Sequence, residues 1–248
     1  MRVLLLGGTT EATALAHAMA GAGINAVFSY AGRTANPAPQ PLQTRLGGYG
    51  GVRGLADYII DAQITHVVDA THPFASQISR NAVEACAMTR IPLIAHERPP
   101  WVVQPGDDWL HVSDTQAAVA ALPISPSRVF LAIGKQTLPA FAAQPQHFYL
   151  LRLVDAPDTA PPFPNAEVVL DRGPFTVESD MDMLRAHGIR HIVAKNSGGS
   201  GALAKLEAAR RLQLPVILIG RPAIADRPMV RTVQDVMEWL GHSARLGV

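Results

Sequence analysis

The stretch that decides the fold is RVLLLGGTTEA, residues 2–12. Its first five residues are Arg2 followed by four apolar residues, a short run of the kind that becomes a buried parallel strand. Two glycines then lead directly into residues that favour a helix. A strand, a glycine turn and a helix N-terminus together offer backbone N–H groups and a positive dipole end to a bound pyrophosphate. The sequence therefore predicts an α/β fold with a phosphate-binding turn after its first strand.

The rest of the chain continues the alternation of short apolar runs with stretches of helical length, which is typical of parallel sheets covered by helices. A proline-rich segment at 96–109 interrupts the pattern and marks a domain junction. We predict two Rossmann-like domains with mainly parallel sheets, residues 1–100 and 101–248, and a ligand cleft between them. The predicted strands are 2–6, 24–30, one near 45, 64–70, 91–95, 128–133, 148–154, 166–171, 191–195 and 215–220. The predicted helices are 10–20, 52–62, 73–88, one after the N-cap Ser113, a short one after 135, 177–187, 202–212 and 233–242.

Composition limits the classes of function. The 248 residues are 48% hydrophobic and 17% charged, with a formal net charge of +1, so neither nucleic acid nor an anionic membrane is an expected partner. The one cysteine, Cys86, lies in a helical pattern and is expected in the core, which excludes a disulfide framework. No apolar run is long enough for a signal peptide or a membrane span. We predict a soluble cytoplasmic protein, and the histidine spacing suggests no metal site.

The first glycine turn is the main candidate for cofactor binding. Compared with the dinucleotide pattern G-x-G-x-x-G/A, Gly7 and Ala12 match, but Thr9 stands in place of the middle glycine. The position at the first strand-to-helix turn favours a cofactor over the alternative, a tight turn that only needs glycine for its backbone. The predicted contacts are Gly7, Gly8, Thr9, Thr10 and Glu11.

The end of the second strand indicates which dinucleotide is used. An NAD site usually carries Asp or Glu about 20 residues after the glycine turn, to hold the ribose hydroxyls. Here the strand ends with Ser29 and Tyr30, followed by Arg33, and no acid is present. A guanidinium pairs with a 2′-phosphate, so NADPH is favoured over NADH, although Arg33 could instead be a solvated loop residue.

A second glycine-rich turn follows a strand in the other half of the chain. It begins KNSGG and lacks the Gly-Lys-Ser/Thr of a P-loop, so nucleoside triphosphate hydrolysis is not indicated. If the two sheets face each other, this turn contacts the same dinucleotide; the alternative is a surface loop. The predicted contacts are Lys195, Asn196, Ser197, Gly198 and Gly199.

Five motifs in this order resemble those of the precorrin-6A reductase family of cobalamin biosynthesis, also called CobK or CbiJ. They are GGTTEA at 7–12, DATHPFA at 69–75, RPPW at 98–101, DRGPF at 171–175 and KNSGG at 195–199. The resemblance spans essentially the whole chain. It implies two Rossmann-like domains and NADPH-dependent reduction of precorrin-6A to precorrin-6B, with precorrin-6A as the small-molecule partner and other cobalamin-pathway enzymes as partners in substrate channelling.

The substrate that this resemblance implies carries many carboxylates, which require Arg, Lys and backbone N–H donors. His72 is the candidate for substrate contact or proton donation because the pKa of histidine lies near neutrality; the alternative is that it only satisfies its turn. Thr71 is expected to cap a helix beginning at Pro73 and to contact the cofactor. Packing roles remain open for two of the aromatic candidates, Phe74 and Trp101. The predicted substrate contacts are His72, Phe74, Arg98, Trp101, Arg172, Gly173 and Pro174.

Three other functions fit less well. A short-chain dehydrogenase would carry Tyr followed four residues later by Lys, and none of the four tyrosines is followed in this way. A methyltransferase-like domain would explain neither Arg33 nor the second glycine turn. A non-catalytic NADP-binding protein would keep the first turn and Arg33 but would have no use for basic residues in a second pocket.

Overall fold

The structure is a computed structural model that describes residues 1–32, 37–154, 156–157, 159–171, 173 and 175–246. The chain divides into two compact units. The first consists of Met1–Pro99 together with Ala223–Val248, and the second of Pro100–Pro222. Each unit contains one six-stranded sheet, and all the strand pairings are parallel. The predicted α/β class with parallel sheets is confirmed.

The first unit has the strand order of a dinucleotide-binding fold. Its sheet runs β12-β5-β4-β1-β2-β3, so the chain reverses direction across the sheet between β1 and β4. In open α/β sheets, ligands bind outside the carboxyl ends of the strands at this reversal. The elements are β1 Val3–Leu6, α1 Thr10–Gly21, β2 Ala26–Tyr30, β3 Gln43–Leu46, α2 Val52–Asp61, β4 His66–Asp69, α3 Ser76–Thr89, β5 Leu93–His96, β12 Met229–Val230 and α7 Val233–Leu246.

Alternation along the strands builds a core on each face of the first sheet. In β1, Val3 and Leu5 pack towards α1 and α7, while Leu4 and Leu6 pack towards α2 and α3. Burial of each such side chain contributes about 1.5–3 kcal/mol. Cys86 of α3 is buried as expected, and burial raises the pKa of its thiol to about 12.

The second unit has the related strand order β6-β11-β10-β7-β8-β9, with its reversal between β7 and β10. Its core lies between α5, α6 and the central strands. None of the described helices is long and apolar enough to cross a membrane. The elements are β6 Trp109–Val112, α4 Thr115–Ala120, β7 Arg128–Ala132, a 3₁₀ helix Lys135–Ala143, β8 Phe148–Leu153, β9 Ala166–Leu170, α5 Val177–Ala186, β10 His191–Lys195, α6 Ala204–Leu212 and β11 Val216–Ile219.

The end of the chain departs from the predicted division at residue 100. Residues 223–246 were assigned to the second domain, but β12 pairs with β5 of the first sheet. Helix α7 places Val236 and Leu240 in the core of the first unit. The second unit is therefore inserted between two neighbouring strands of the first. Strand β6 was not predicted because its four residues, WLHV, are not buried and form no purely apolar run. Strand β12 was not predicted because two residues carry no periodic signal.

Two predicted helix starts are wrong. Asp114, not Ser113, caps α4, and its carboxylate accepts a hydrogen bond from the Ala117 backbone at 2.9 Å. Helix α3 begins at Ser76 rather than Pro73, and no side chain caps it. The hydroxyl of Thr71 instead donates a hydrogen bond to the carboxylate of Asp69.

Candidate functional site

The β1–α1 turn lies at the reversal point of the first sheet. Gly7 sits against the ring of Phe28, and a Cβ at this position would lie 2.2 Å from the ring. Gly8 has φ +118, in the region that favours glycine. Thr9 caps α1 by accepting from the Ala12 backbone at 3.0 Å and donates to the Ala70 carbonyl at 2.9 Å. Thr9 thus ties this turn to the end of β4, a role that a middle glycine could not fill.

Glu11 and Arg98 form an ion pair beside this turn. The Arg98 guanidinium lies 2.6 Å from the carboxylate of Glu11, which stands in the first turn of α1. Burial alone would raise the pKa of Glu11, but a hydrogen bond from its own backbone and the charge of Arg98 outweigh burial and lower it. Arg98, predicted as a substrate contact, therefore neutralises a carboxylate at the helix N-terminus, where a phosphate would bind.

A buried aspartate organises the turn after β4. Asp69 accepts hydrogen bonds on Oδ1 from the Thr71 backbone at 3.1 Å and from the Thr71 hydroxyl at 2.7 Å. This explains why Thr71 does not cap α3. His72 accepts on Nδ1 from the Phe74 backbone at 3.2 Å. The turn brings Thr71 and the half-buried rings of His72 and Phe74 together at the carboxyl edge of the sheet.

Arg227 joins this turn to the segment that returns from the second unit. Its Nη2 lies 3.5 Å from Asp69 Oδ2 and 3.3 Å from Glu97 Oε2, and its side chain is only 10% exposed. Asp69 is 2% exposed. One buried cation therefore compensates two carboxylates at the carboxyl ends of the neighbouring strands β4 and β5.

A small pocket opens at the carboxyl ends of β1, β4 and β5. Its walls combine the capping hydroxyl of Thr9, the Glu11–Arg98 pair and the buried ring of His96. The lining residues are Thr9, Glu11, Thr71, Pro73, His96, Glu97 and Arg98. All of them belong to the first unit. The predicted cofactor contacts Thr9, Glu11 and Thr71 are thus gathered around one pocket.

The carboxyl end of β2 carries hydroxyl groups. The buried Ser29 hydroxyl accepts from the Tyr49 hydroxyl at 2.7 Å, and burial raises the pKa of Tyr49. The Tyr30 hydroxyl donates to the Ala38 carbonyl at 2.9 Å and accepts from Gln40 at 2.6 Å. The Tyr30 hydroxyl is thus engaged with the loop that follows β2, and the Ser29 hydroxyl with Tyr49, which follows β3.

In the second unit, Asn196 and Trp101 hold each other. The side-chain amide of Asn196 accepts from the Trp101 backbone N–H at 2.7 Å and donates to the Trp101 carbonyl at 3.0 Å. The indole N–H donates to the Gly199 carbonyl at 2.8 Å, and Trp101 is 8% exposed. Three predicted site residues, Trp101, Asn196 and Gly199, therefore form one packed cluster. In this cluster Asn196 binds the start of the second unit to the end of β10.

Cationic groups surround the same turn. The guanidinium of Arg221 donates to the carbonyls of Asn196 and Ser197 at 3.0 and 3.1 Å. The buried Lys205 ammonium lies 5.1 Å from the centre of the Trp101 ring. Burial lowers the pKa of Lys195. Gly198 and Gly199 have positive φ, as the tight turn requires.

Replacing Asn196 with alanine is expected to destabilise the second unit by about 2 kcal/mol. The change leaves a buried N–H and a buried carbonyl of Trp101 without partners. Urea denaturation monitored by tryptophan fluorescence measures the loss. Asn165→Ala, an exposed asparagine of the same unit, is the control; an equal effect of the two variants would contradict the role given to Asn196.

Three predicted site residues, Arg33, Arg172 and Pro174, lie outside the described residues. Gly173 is described and exposed, beside the ring of Phe175. Among the described residues, no group of three or more His, Cys, Asp or Glu side chains could hold a metal ion.

Sequence reasoning gave no role to Arg227 or His96 and quoted Asp69 only as part of a motif. A single acid after an apolar strand was a usable signal for Asp69. No local pattern marks Arg227, because its partners lie far away along the chain; Glu97, for example, is 130 positions distant.

Comparisons with known proteins agree over the whole chain. Residues 2–241 match the family model described as precorrin-6x reductase CbiJ/CobK. A precorrin-6A reductase of Rhodobacter capsulatus is 60% identical over 98% of this chain and 97% of its own length. A cobalt-precorrin-6A reductase of Priestia megaterium is 30% identical over 98% of this chain and 99% of its own length. A solved structure named CobK precorrin-6A reductase covers 98% of this chain and 96% of its own, at 60% identity and a TM-score of 0.95.

The family match, the relatives and the solved structure agree with the five sequence motifs and with the two parallel sheets. The chain belongs to the precorrin-6x reductase CbiJ/CobK family.

Proposed function

We propose that this protein reduces precorrin-6A to precorrin-6B with NADPH, in cobalamin biosynthesis. One observation carries the proposal: a protein named precorrin-6A reductase shares 60% identity over 98% of the chain. The doubly wound first sheet, with a glycine turn at its reversal point, supports a nicotinamide dinucleotide as the reductant.

The first unit suits the cofactor. Residues 8–10 offer backbone N–H groups at the start of α1 for the pyrophosphate, whereas the Gly7 N–H donates to the Ser29 carbonyl. Gly7 and Gly8 permit close approach, and Thr71 and Glu11 border the adjacent pocket. When bound, NADPH supplies a hydride to the macrocycle. The polypeptide's tasks are to orient the reactants, exclude water and manage charge.

His72 is proposed to contact the substrate and to donate a proton. Because its Nδ1 accepts a backbone hydrogen bond, the neutral ring carries its N–H on Nε2 and can donate a hydrogen bond to the substrate from that nitrogen. Transfer of a proton to the substrate requires the imidazolium form of the ring. Phe74, Arg98, Trp101, Arg172, Gly173 and Pro174 remain the proposed substrate contacts. For the turn after β10, Lys195 and the backbone of residues 197–199 are proposed to bind an anionic group of the cofactor, whereas the contacts of Asn196 argue for a supporting role.

The metal-free substrate is favoured over its cobalt-containing analogue by the degree of similarity. The Rhodobacter capsulatus relative, named for precorrin-6A, is 60% identical, whereas the Priestia megaterium relative, named for cobalt-precorrin-6A, is 30% identical. Anaerobic mixing of the purified protein with NADPH and precorrin-6A tests the proposal. We expect NADPH absorbance to fall in step with the change in the macrocycle spectrum. Tight NADPH binding without oxidation would instead favour a non-catalytic NADP-binding protein.

Changing Arg33 to alanine is expected to raise the KM for NADPH about tenfold and to leave the KM for NADH nearly unchanged. The reason is loss of a charge-assisted contact to the 2′-phosphate, a group that NADH lacks. Steady-state kinetics with both cofactors measure the difference. Arg53→Ala, a change at an exposed arginine of α2, is the control. Equal effects of Arg33→Ala on the two cofactors would remove the argument for NADPH.

A further inference from the structure

His96 presents a buried nitrogen that no described residue satisfies. It ends β5, is 4% exposed, and its Nδ1 has no hydrogen-bond partner within the described part of the chain. Buried polar groups in native proteins are rarely left unpaired, because desolvation without a partner is costly. His96 is also one of the residues that line the pocket at the carboxyl ends of β1, β4 and β5. The orphan nitrogen and the pocket together indicate a ligand group.

The surroundings define the chemistry of that group. The backbone of Arg231 lies near the imidazole and acts to raise the pKa of His96. Since Nδ1 has no partner among the described residues, we assign this polar contact and the ring N–H to Nε2. In this tautomer Nδ1 is an acceptor. The charged groups that face the ring are Glu11 of α1, Asp235 of α7, and Glu97 and Arg98 beside it. A neutral acceptor near carboxylates does not suit a phosphate and does suit an N–H donor.

The position of the pocket along the sheet indicates which end of the dinucleotide lies near His96. The proposed pyrophosphate site is the turn after β1, and the proposed 2′-phosphate contact follows β2, on one side of that turn. The pocket lies on the other side, towards β4 and β5. The nicotinamide end of an extended dinucleotide therefore belongs on the side of His96.

We propose that Nδ1 of His96 accepts a hydrogen bond from the carboxamide N–H of the nicotinamide ring. The inference rests on the proposed function, since it requires a nicotinamide cofactor. His96 would then recognise the carboxamide of the nicotinamide ring, and it would contribute to the binding and orientation of the cofactor.

The test compares NADP⁺ with its 3-acetylpyridine analogue, in which a methyl group replaces the carboxamide NH₂ and the carbonyl is kept. Dissociation constants are measured by calorimetry, without substrate and without turnover. We expect the wild-type protein to bind NADP⁺ about tenfold more tightly than the analogue. The quantity compared is the ratio of the dissociation constant of the analogue to that of NADP⁺. His96→Gln keeps a donor near the position of Nε2 and has no acceptor at the position of Nδ1, so this ratio should fall to about one. His96→Asn places an oxygen near the position of Nδ1 and should retain part of the preference.

His66→Gln is the matched control. His66 belongs to the same sheet, is fully buried and also has a ring nitrogen without a partner among the described residues, but it stands at the amino end of β4. The ratio should be unchanged in this variant. A second measurement needs no variant: in the wild-type protein, protonation of Nδ1 abolishes the acceptor, so the ratio should fall towards one at acidic pH. Burial lowers the pKa of His96, so the fall should occur below the usual titration range of histidine.

The outcomes separate the inference from the function on which it rests. If wild-type protein binds neither nucleotide, the proposed cofactor is wrong and the inference fails with it. If both bind but the wild-type ratio is near one, or the tenfold ratio survives in His96→Gln, only the role of His96 is overturned. If His96→Gln does not fold, the pH series decides: a ratio that stays constant from neutral to acidic pH rejects the inference.

Discussion

Replacing Arg227 with methionine is expected to lower the free energy of unfolding of the first unit by about 3–5 kcal/mol. Arg227 lies between the carboxylates of Asp69 and Glu97, at 3.5 and 3.3 Å. Methionine fills similar space but removes the cation that lies between the two carboxylates, one of which is buried. Because breaking a buried ion pair exposes the desolvation cost of the remaining charge, this loss should exceed that of any surface substitution.

Urea denaturation can monitor this unit selectively through Trp239 of α7, in a protein whose other two tryptophans are replaced by phenylalanine. Arg53→Met removes an exposed arginine of α2 in the same unit and should change stability by less than about 1 kcal/mol. Neutralising both acids in Asp69→Asn, Glu97→Gln, Arg227→Met should recover part of the loss. A loss for Arg227→Met no larger than that of the control would show that the two carboxylates do not depend on this arginine.

Removing Arg98 is expected to weaken NADPH binding about 100-fold, or by about 2.7 kcal/mol. The structure places the Arg98 guanidinium 2.6 Å from Glu11, in the first turn of the helix whose N-terminus is proposed to bind the pyrophosphate. Without Arg98, the Glu11 carboxylate repels the cofactor phosphates, and juxtaposed like charges cost several kcal/mol. The dissociation constant, measured by quenching or enhancement of NADPH fluorescence, reports the effect.

A double-variant cycle identifies the cause. Glu11→Gln, Arg98→Ala should bind NADPH within about tenfold of the wild-type protein, because the repelling charge is gone. Arg90→Ala, in which an arginine at the end of α3 is removed, controls for a change in net charge. If the double variant binds NADPH as weakly as Arg98→Ala, then Arg98 contacts the cofactor directly and its pairing with Glu11 is incidental.

Much of the first sheet could be predicted because its signals are local. The apolar run of β1, the two glycines after it and the alternation of strands with helices determine a doubly wound unit and its ligand edge. The same signals located the turn after β10. They also placed Thr9, Glu11 and Thr71 at a common edge, where the structure gathers them around one pocket.

Helix starts were less predictable, because several polar residues compete for each cap. Ser113 and Asp114 are both good capping residues, and the structure uses the aspartate. Thr71 also has the right chemistry for a cap, but Asp69 binds its hydroxyl first. Which side chain caps a helix depends on the distances between donors and acceptors in the folded chain. The local sequence pattern does not determine these distances.

By itself, the sequence determined the α/β class, the glycine turn at the first strand and the family motifs, since each is encoded by neighbouring residues. Only the tertiary structure decided that residues 223–246 return to the first unit and that Arg227 lies between Asp69 and Glu97. It also decided that Asn196 fixes Trp101, 95 positions away. The physical reason is that these contacts join segments with no common periodicity. Their partners are selected by burial and by the need to pair buried charges and amides, conditions that exist only after the sheets have formed.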